Sequence, residues 1–68
     1  MLFRSAFRQA ALQDGGPAGR QMPTTYPHPE SVWQEYFAES FSIFQTSPDL
    51  LRRLRPNVFR FMARTFPP

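Results

Sequence analysis

The chain has 68 residues, which is short for a single domain, so we expect one domain at most. It has no cysteine and one histidine, His28, and these counts exclude disulfide bonds, thiolate metal sites and histidine-rich metal clusters. All eight basic residues are arginine, against five acidic residues, and the net charge is +3. Guanidinium groups favour bidentate contacts with carboxylates or phosphates and stacking on aromatic rings. The arginine bias is equally compatible with a GC-rich genome.

The composition combines many aromatic residues with many residues that interrupt a regular backbone. One tryptophan, two tyrosines and eight phenylalanines stand beside eight prolines and three glycines. This aromatic content is unusual for a disordered chain. A chain of this length, however, buries only about 60% of the surface that its unfolded form exposes. We therefore predict a mostly α, non-globular chain, in which short helices are joined by Pro/Gly-rich extended segments and stabilised by partner subunits.

Residues 1–13 predict an amphipathic helix, because apolar side chains recur at helical spacing. Arg4 and Arg8 lie on the polar side, and no acidic residue precedes Asp14. An amphipathic, arginine-bearing start without acidic residues is typical of a mitochondrial targeting segment, and we expect this one to be retained in the protein. The alternatives are an ordinary helix that packs on a neighbour and a membrane-surface anchor.

Residues 14–30 predict a Gly/Pro-rich linker followed by an extended strap. Its glycines, Gly15 and Gly16 first, end the preceding helix. Its prolines fix φ and restrict the residues before them, which favours a polyproline-like course. The segment lacks the Lys-Ser/Thr pair of a phosphate-binding P-loop, so we interpret its glycines as a hinge.

Residues 31–46 predict an aromatic amphipathic helix that begins with a capping box formed by Ser31 and Gln34. Its large apolar side chains share a broad half-cylinder, which is more surface than so short a chain is expected to cover. Aromatic side chains are frequent at the energetic centres of protein interfaces. The helix therefore predicts five partner-binding residues, with packing inside the chain as the alternative: Trp33, Tyr36, Phe37, Phe41 and Phe44.

Residues 47–68 predict short helices and a tail, all rich in arginine and phenylalanine. Pro48 suits the first position of a helix that Pro56 ends, and Leu50, Leu51 and Leu54 share one side of it. The arginines could contact acidic residues of a protein, anionic lipid headgroups or RNA, and we favour the protein. The predicted partner-binding residues of this segment are Arg52, Arg53, Arg55, Phe59, Arg60 and Arg64.

No arrangement of residues in the sequence predicts catalysis or a bound cofactor. Glu35 and Glu39 share a helix face, but no third ligand accompanies them, and we interpret them as a solvated or ion-paired face. No apolar run approaches the roughly 20 residues that cross a bilayer. We therefore predict a protein that is not an enzyme and has no metal, no cofactor and no transmembrane span.

Short, cysteine-poor, arginine-rich chains with a targeting-like start such as residues 1–13 resemble the accessory subunits of mitochondrial oxidative-phosphorylation complexes. The resemblance implies a structural, non-catalytic subunit that is peripheral to the inner membrane and bridges neighbouring subunits. It favours ATP synthase over respiratory complex I, and it assigns no site residue. The alternative is a small mitochondrial ribosomal protein that binds rRNA.

Overall fold

A computed structural model of the protein describes residues 3–16 and 29–67. In these ranges the chain forms four α-helices: α1 (Phe3–Gln13), α2 (Pro29–Thr46), α3 (Pro48–Leu54) and α4 (Pro56–Thr65). The prediction of a mostly α-helical chain is confirmed. Most of the linker and strap predicted for residues 14–30 lies outside the described residues.

The four helices pack into a compact body, so the prediction of a non-globular chain is wrong. The radius of gyration is 11.4 Å, and a compact domain of this length is expected at about 10–11 Å. The prediction failed because the aromatic rings of α2 pack against rings that are distant in sequence. Phe37 packs on Phe7 of α1, and Phe41 packs on Phe66 beyond α4, with centroids 5.0 Å apart in both pairs.

Helix α1 ends in a glycine motif that lies against Tyr36 of α2. The Gly15 N–H donates to the Leu12 carbonyl and the Gly16 N–H to the Ala11 carbonyl, each at 3.0 Å. Gly15 has a φ of 86°, the left-handed conformation that glycine adopts without a steric penalty in a Schellman motif. A Cβ atom on Gly16 would lie 2.5 Å from the Tyr36 ring. Glycine therefore lets this turn lie directly against the ring.

Two prolines divide the second half of the chain into three helices. Helix α2 begins at Pro29, two residues before the predicted capping box, so Ser31 lies inside it. Pro48 and Pro56 occupy the first positions of α3 and α4, where the missing N–H of proline costs no helical hydrogen bond. Single residues, Ser47 and Arg55, separate these helices. The short breaks keep α2, α3 and α4 in contact.

The core lies where α1, α2, α3 and α4 meet, and Phe7 is at its centre. The Phe7 ring has its centroid 5.0–6.3 Å from the centroids of four other rings, in tilted or edge-on arrangements that aromatic pairs favour. Helix α1 is therefore an integral part of the folded chain. The buried residues are Phe7, Ala10, Ala11, Tyr36, Ser40, Leu51, Val58, Phe61 and Met62.

Candidate functional site

The aromatic residues predicted to bind a partner mostly pack within this chain. Tyr36 is only 3% exposed and belongs to the core. The other aromatic side chains of α2 are half-buried and pack against that core. Phe44, near the end of α2, meets Phe59 of α4 with ring centroids 6.1 Å apart. The aromatic face of α2 is thus largely an internal surface, the arrangement that the sequence offered as an alternative.

Arg55, another predicted partner-binding residue, is also used inside the chain. Its Nη1 donates to Ser40 Oγ at 2.7 Å, and its Nη2 donates to Glu39 Oε1 at 2.6 Å. Its Cζ atom lies 4.1 Å from the centroid of the Tyr36 ring, and its side chain is 17% exposed. Because Arg55 separates α3 from α4, these contacts fasten that junction to α2.

Tyr36 is the one described residue whose acid–base behaviour is clearly shifted. Burial raises the pKa of its phenol above the usual value near 10. The Arg55 guanidinium opposes this shift in the pKa, and the Asp14 and Glu39 carboxylates add to it. Tyr36 therefore stays neutral under physiological conditions and serves as a packing surface.

Asp14 holds the beginning of α4, a role that the sequence did not reveal. Its Oδ1 accepts from the Asn57 N–H at 3.1 Å and from Asn57 Nδ2 at 2.7 Å, and its Oδ2 accepts from the Val58 N–H at 2.8 Å. A carboxylate at this position satisfies N–H groups that have no helical partner and complements the positive end of the helix dipole. Arg55, at the cap position of α4, provides no such bond from its side chain.

The remaining predicted arginines are exposed, in two different surroundings. Arg52 pairs with Asp49 at 3.3 Å along α3 and lies 6.0 Å from the centroid of the Phe59 ring. An ion pair this exposed contributes little to stability. Arg53 is also exposed on α3, whereas Arg60 and Arg64 lie one turn apart on the exposed side of α4. The arginines of residues 52–64 therefore do not act as a single cluster.

Arg60 and Arg64 line a polar groove between α1 and α4, which we call the α1–α4 groove. Its volume is about 170 Å³, and it is lined by Ala6, Gln9, Ala10, Gln13, Asn57, Arg60 and Arg64. Arg60 also donates from Nη2 to the side-chain oxygen of Asn57. The sequence singled out the two arginines but missed Gln9 and Gln13. Their pairing with α4 depends on how α1 packs, and no local pattern encodes that packing.

Residues 3–16 and 29–67 offer neither a metal centre nor a membrane span. In these ranges no three histidine, aspartate or glutamate side chains converge as metal ligands would. None of the helices described there is both long and apolar enough to cross a membrane. In the described residues, the α1–α4 groove with Arg60 and Arg64 is therefore the candidate binding site.

No family model, curated protein or solved structure matches this chain. The function is accordingly inferred from the residues and their geometry.

Proposed function

We propose that this chain is a small, non-catalytic accessory subunit that binds neighbouring proteins in a mitochondrial inner-membrane oxidative-phosphorylation complex, ATP synthase before respiratory complex I. One observation carries the proposal: in the described residues the aromatic rings pack against the core, whereas four arginines are exposed on the short helices α3 and α4. Arginine is enriched at protein interfaces, where its planar fork pairs with carboxylates. The exposed arginines are Arg52, Arg53, Arg60 and Arg64.

The packing of the aromatic rings supports a protein partner over RNA. A protein that binds single-stranded RNA offers free ring faces on which bases stack. Here Phe61 is buried, Phe59 packs on Phe44, and Phe66 packs on Phe41. Rings engaged in this way are poorly placed to stack on bases. The arginines that remain exposed suit the acidic side chains of a protein.

The character of residues 1–13 supports the mitochondrial assignment. The segment combines an apolar side with arginines and has no acidic residue, as mitochondrial targeting segments do. In the folded chain Phe7 and Ala11 of the same segment are buried in the core. The helix therefore has a structural use in the folded protein, which supports its retention after import.

Affinity purification of the tagged chain from detergent-solubilised mitochondria, with quantitative mass spectrometry, tests the proposal. We expect subunits of a single inner-membrane complex to copurify, and we expect nuclease treatment to leave them bound. If the chain instead bound the phosphates of RNA, its association would weaken steeply as the salt concentration rises. Recovery of ribosomal proteins that nuclease releases would overturn the proposal in favour of the ribosomal alternative. Recovery of the chain without any inner-membrane complex would also overturn it.

A further inference from the structure

We propose that the α1–α4 groove binds an acidic helix of a partner protein, whose two carboxylates, one helical turn apart, pair with Arg60 and Arg64. The inference rests on the proposed function, because it specifies how the accessory subunit would contact its neighbour. It assigns the groove a ligand of defined chemistry and spacing.

The spacing of the groove residues matches that of an acidic pair on a helix. Arg60 and Arg64 stand four residues apart on α4, and Gln9 and Gln13 stand four apart on α1. Residues at this spacing share a helix face, with Cβ atoms about 5–6 Å apart. Two acidic residues one turn apart on a partner helix have the same separation. Each carboxylate can accept paired N–H bonds from one arginine and a further bond from a glutamine amide.

The charge of the groove calls for an anionic occupant. Two guanidinium groups line it, and no carboxylate is among the lining residues that the structure describes. Asp14 contacts Asn57, but both its oxygens accept bonds at the beginning of α4. Asn57 in turn accepts a bond from Arg60. These linked hydrogen bonds position Arg60. The positive charge of Arg64 is left for a carboxylate of the occupant to pair with.

The shape and lining of the groove favour a protein over a nucleic acid. A volume of about 170 Å³ fits acidic side chains rather than a whole helix, since a helix with its side chains is about 10–12 Å across. The partner helix therefore lies across the opening and inserts its carboxylates. Ala6 and Ala10 contribute only small side chains to the lining, which allows a close approach. Among the groove-lining residues that the structure describes, none is aromatic, so these residues offer no ring on which a base could stack.

A second copy of this chain is a poorer occupant than another protein. Helix α2 carries Glu35 and Glu39 at the required spacing. Glu39, however, already accepts a bond from Arg55 at 2.6 Å. A second copy would therefore present one carboxylate from this pair, whereas the groove has two arginines to satisfy.

Site-specific photo-crosslinking in solubilised mitochondria tests the inference. A p-benzoylphenylalanine residue replaces Gln13 in the groove or, as a control, the exposed Gln45 on α2. We expect the Gln13 probe to capture a protein segment that carries two acidic residues three or four positions apart, and the Gln45 probe not to capture it. Capture of RNA, lipid or a second copy by the Gln13 probe would overturn the inference.

Charge reversal at the groove supplies the second arm of the test. The variant Arg60→Glu/Arg64→Glu should reduce the yield of the Gln13 crosslink by about tenfold or more, because each charge-assisted pair is replaced by repulsion. The control Gln34→Glu/Gln45→Glu introduces two glutamates at exposed positions of α2, outside the groove, and should keep the yield. The single variant Arg64→Glu keeps the Arg60–Asn57 bond and should also reduce the yield of the Gln13 crosslink. Matching near-UV circular dichroism establishes that each variant is folded.

The outcomes separate this inference from the proposed function. If the groove variant copurifies with the complex and crosslinks as well as the wild type, the inference is overturned and the proposed function stands. If the wild-type chain copurifies with no inner-membrane complex, the proposed function itself fails. If the wild type copurifies with an inner-membrane complex and only the groove variant loses the Gln13 crosslink, the proposed function and the inference are both supported.

Discussion

The guanidinium of Arg55 lies over the ring of Tyr36, with its Cζ atom 4.1 Å from the ring centroid. Arg55 is the single residue between α3 and α4, and Tyr36 lies in the middle of α2. The contact therefore connects three helices through one side chain. Ser40 and Glu39 accept hydrogen bonds from Nη1 and Nη2 of the same guanidinium, so it donates to α2 while its face stacks on the ring.

Replacing Arg55 should destabilise the fold more than replacing a neighbouring exposed arginine. Arg55→Met removes both hydrogen bonds and leaves the buried Ser40 hydroxyl without that partner, and we expect a loss of about 1–3 kcal/mol in the free energy of unfolding. Arg53→Met is the control and should change it by about 0.5 kcal/mol or less. Urea denaturation followed by circular dichroism measures both. Equal effects of the two variants would contradict the role given to Arg55.

Asp14 should contribute to stability through the beginning of α4. Asp14→Ala leaves the Asn57 and Val58 N–H groups without their acceptor, and we expect a loss of about 1–2 kcal/mol, as for the removal of a helix cap. Glu35→Ala removes an exposed acidic residue from α2 and should have an effect of about 0.5 kcal/mol or less. Hydrogen exchange adds a local readout, since the first turn of α4 should lose protection only in the Asp14 variant. Unchanged exchange there would count against the cap.

Stability should fall at high pH because Tyr36 is buried in its neutral form. Its pKa is raised by burial, partly opposed by Arg55 and reinforced by Asp14 and Glu39. The unfolded chain thus ionises this phenol first, so its contribution is complete below about pH 10 and is lost as the pH rises through the folded pKa. Urea denaturation from about pH 8 to about pH 11 should show this decrease, and Tyr36→Phe should weaken it. A decrease of the same size in Tyr36→Phe would assign the effect to other groups.

Local features of the sequence predicted the helices better than the contacts between them. The sequence predicts that a helix begins at Pro48 and ends before Pro56, and α3 does so, because proline acts on the backbone of its own residue and the one before it. The leucines of α3 share one side of the helix, but this pattern was a poorer guide to which of them are buried. Leu51 is buried, whereas Leu50 and Leu54 are 41% and 58% exposed, because α3 offers only a narrow side to the core.

The contacts that shape the candidate site depend on residues far apart in the sequence. Asp14 meets Val58 across 44 positions, and Arg55 meets Ser40 across 15. No periodicity or spacing encodes such pairs, since they follow from how the helices pack. The same reason explains why the sequence singled out Arg60 and Arg64 but not the glutamines of α1 that face them. It also explains why the sequence leaves both a partner surface and internal packing open for the aromatic face of α2.

The targeting character of residues 1–13 should depend on its arginines. Arg4→Glu with Arg8→Glu introduces acidic residues where mitochondrial targeting segments lack them, so we expect the double variant to accumulate in the cytosol. Arg52→Glu/Arg53→Glu carries the same change in charge outside the segment and should still reach mitochondria. Fractionation of cells that express each tagged variant gives the distribution. Mitochondrial accumulation of the Arg4/Arg8 variant at the wild-type level would refute the targeting role and leave α1 as a packing helix.

Both proposals require that this chain itself packs its aromatic rings, so that the exposed arginines of α3 and α4 are left for a partner. Thermal unfolding of the isolated 68-residue chain tests it, followed by near-UV and far-UV circular dichroism and by the fluorescence of Trp33, the single tryptophan. We predict one cooperative transition with the same midpoint by all three signals, independent of protein concentration. A helical chain without a near-UV signal, which unfolds gradually with different midpoints by far-UV circular dichroism and fluorescence, would contradict this packing. The aromatic rings would then be expected to pack on a partner protein.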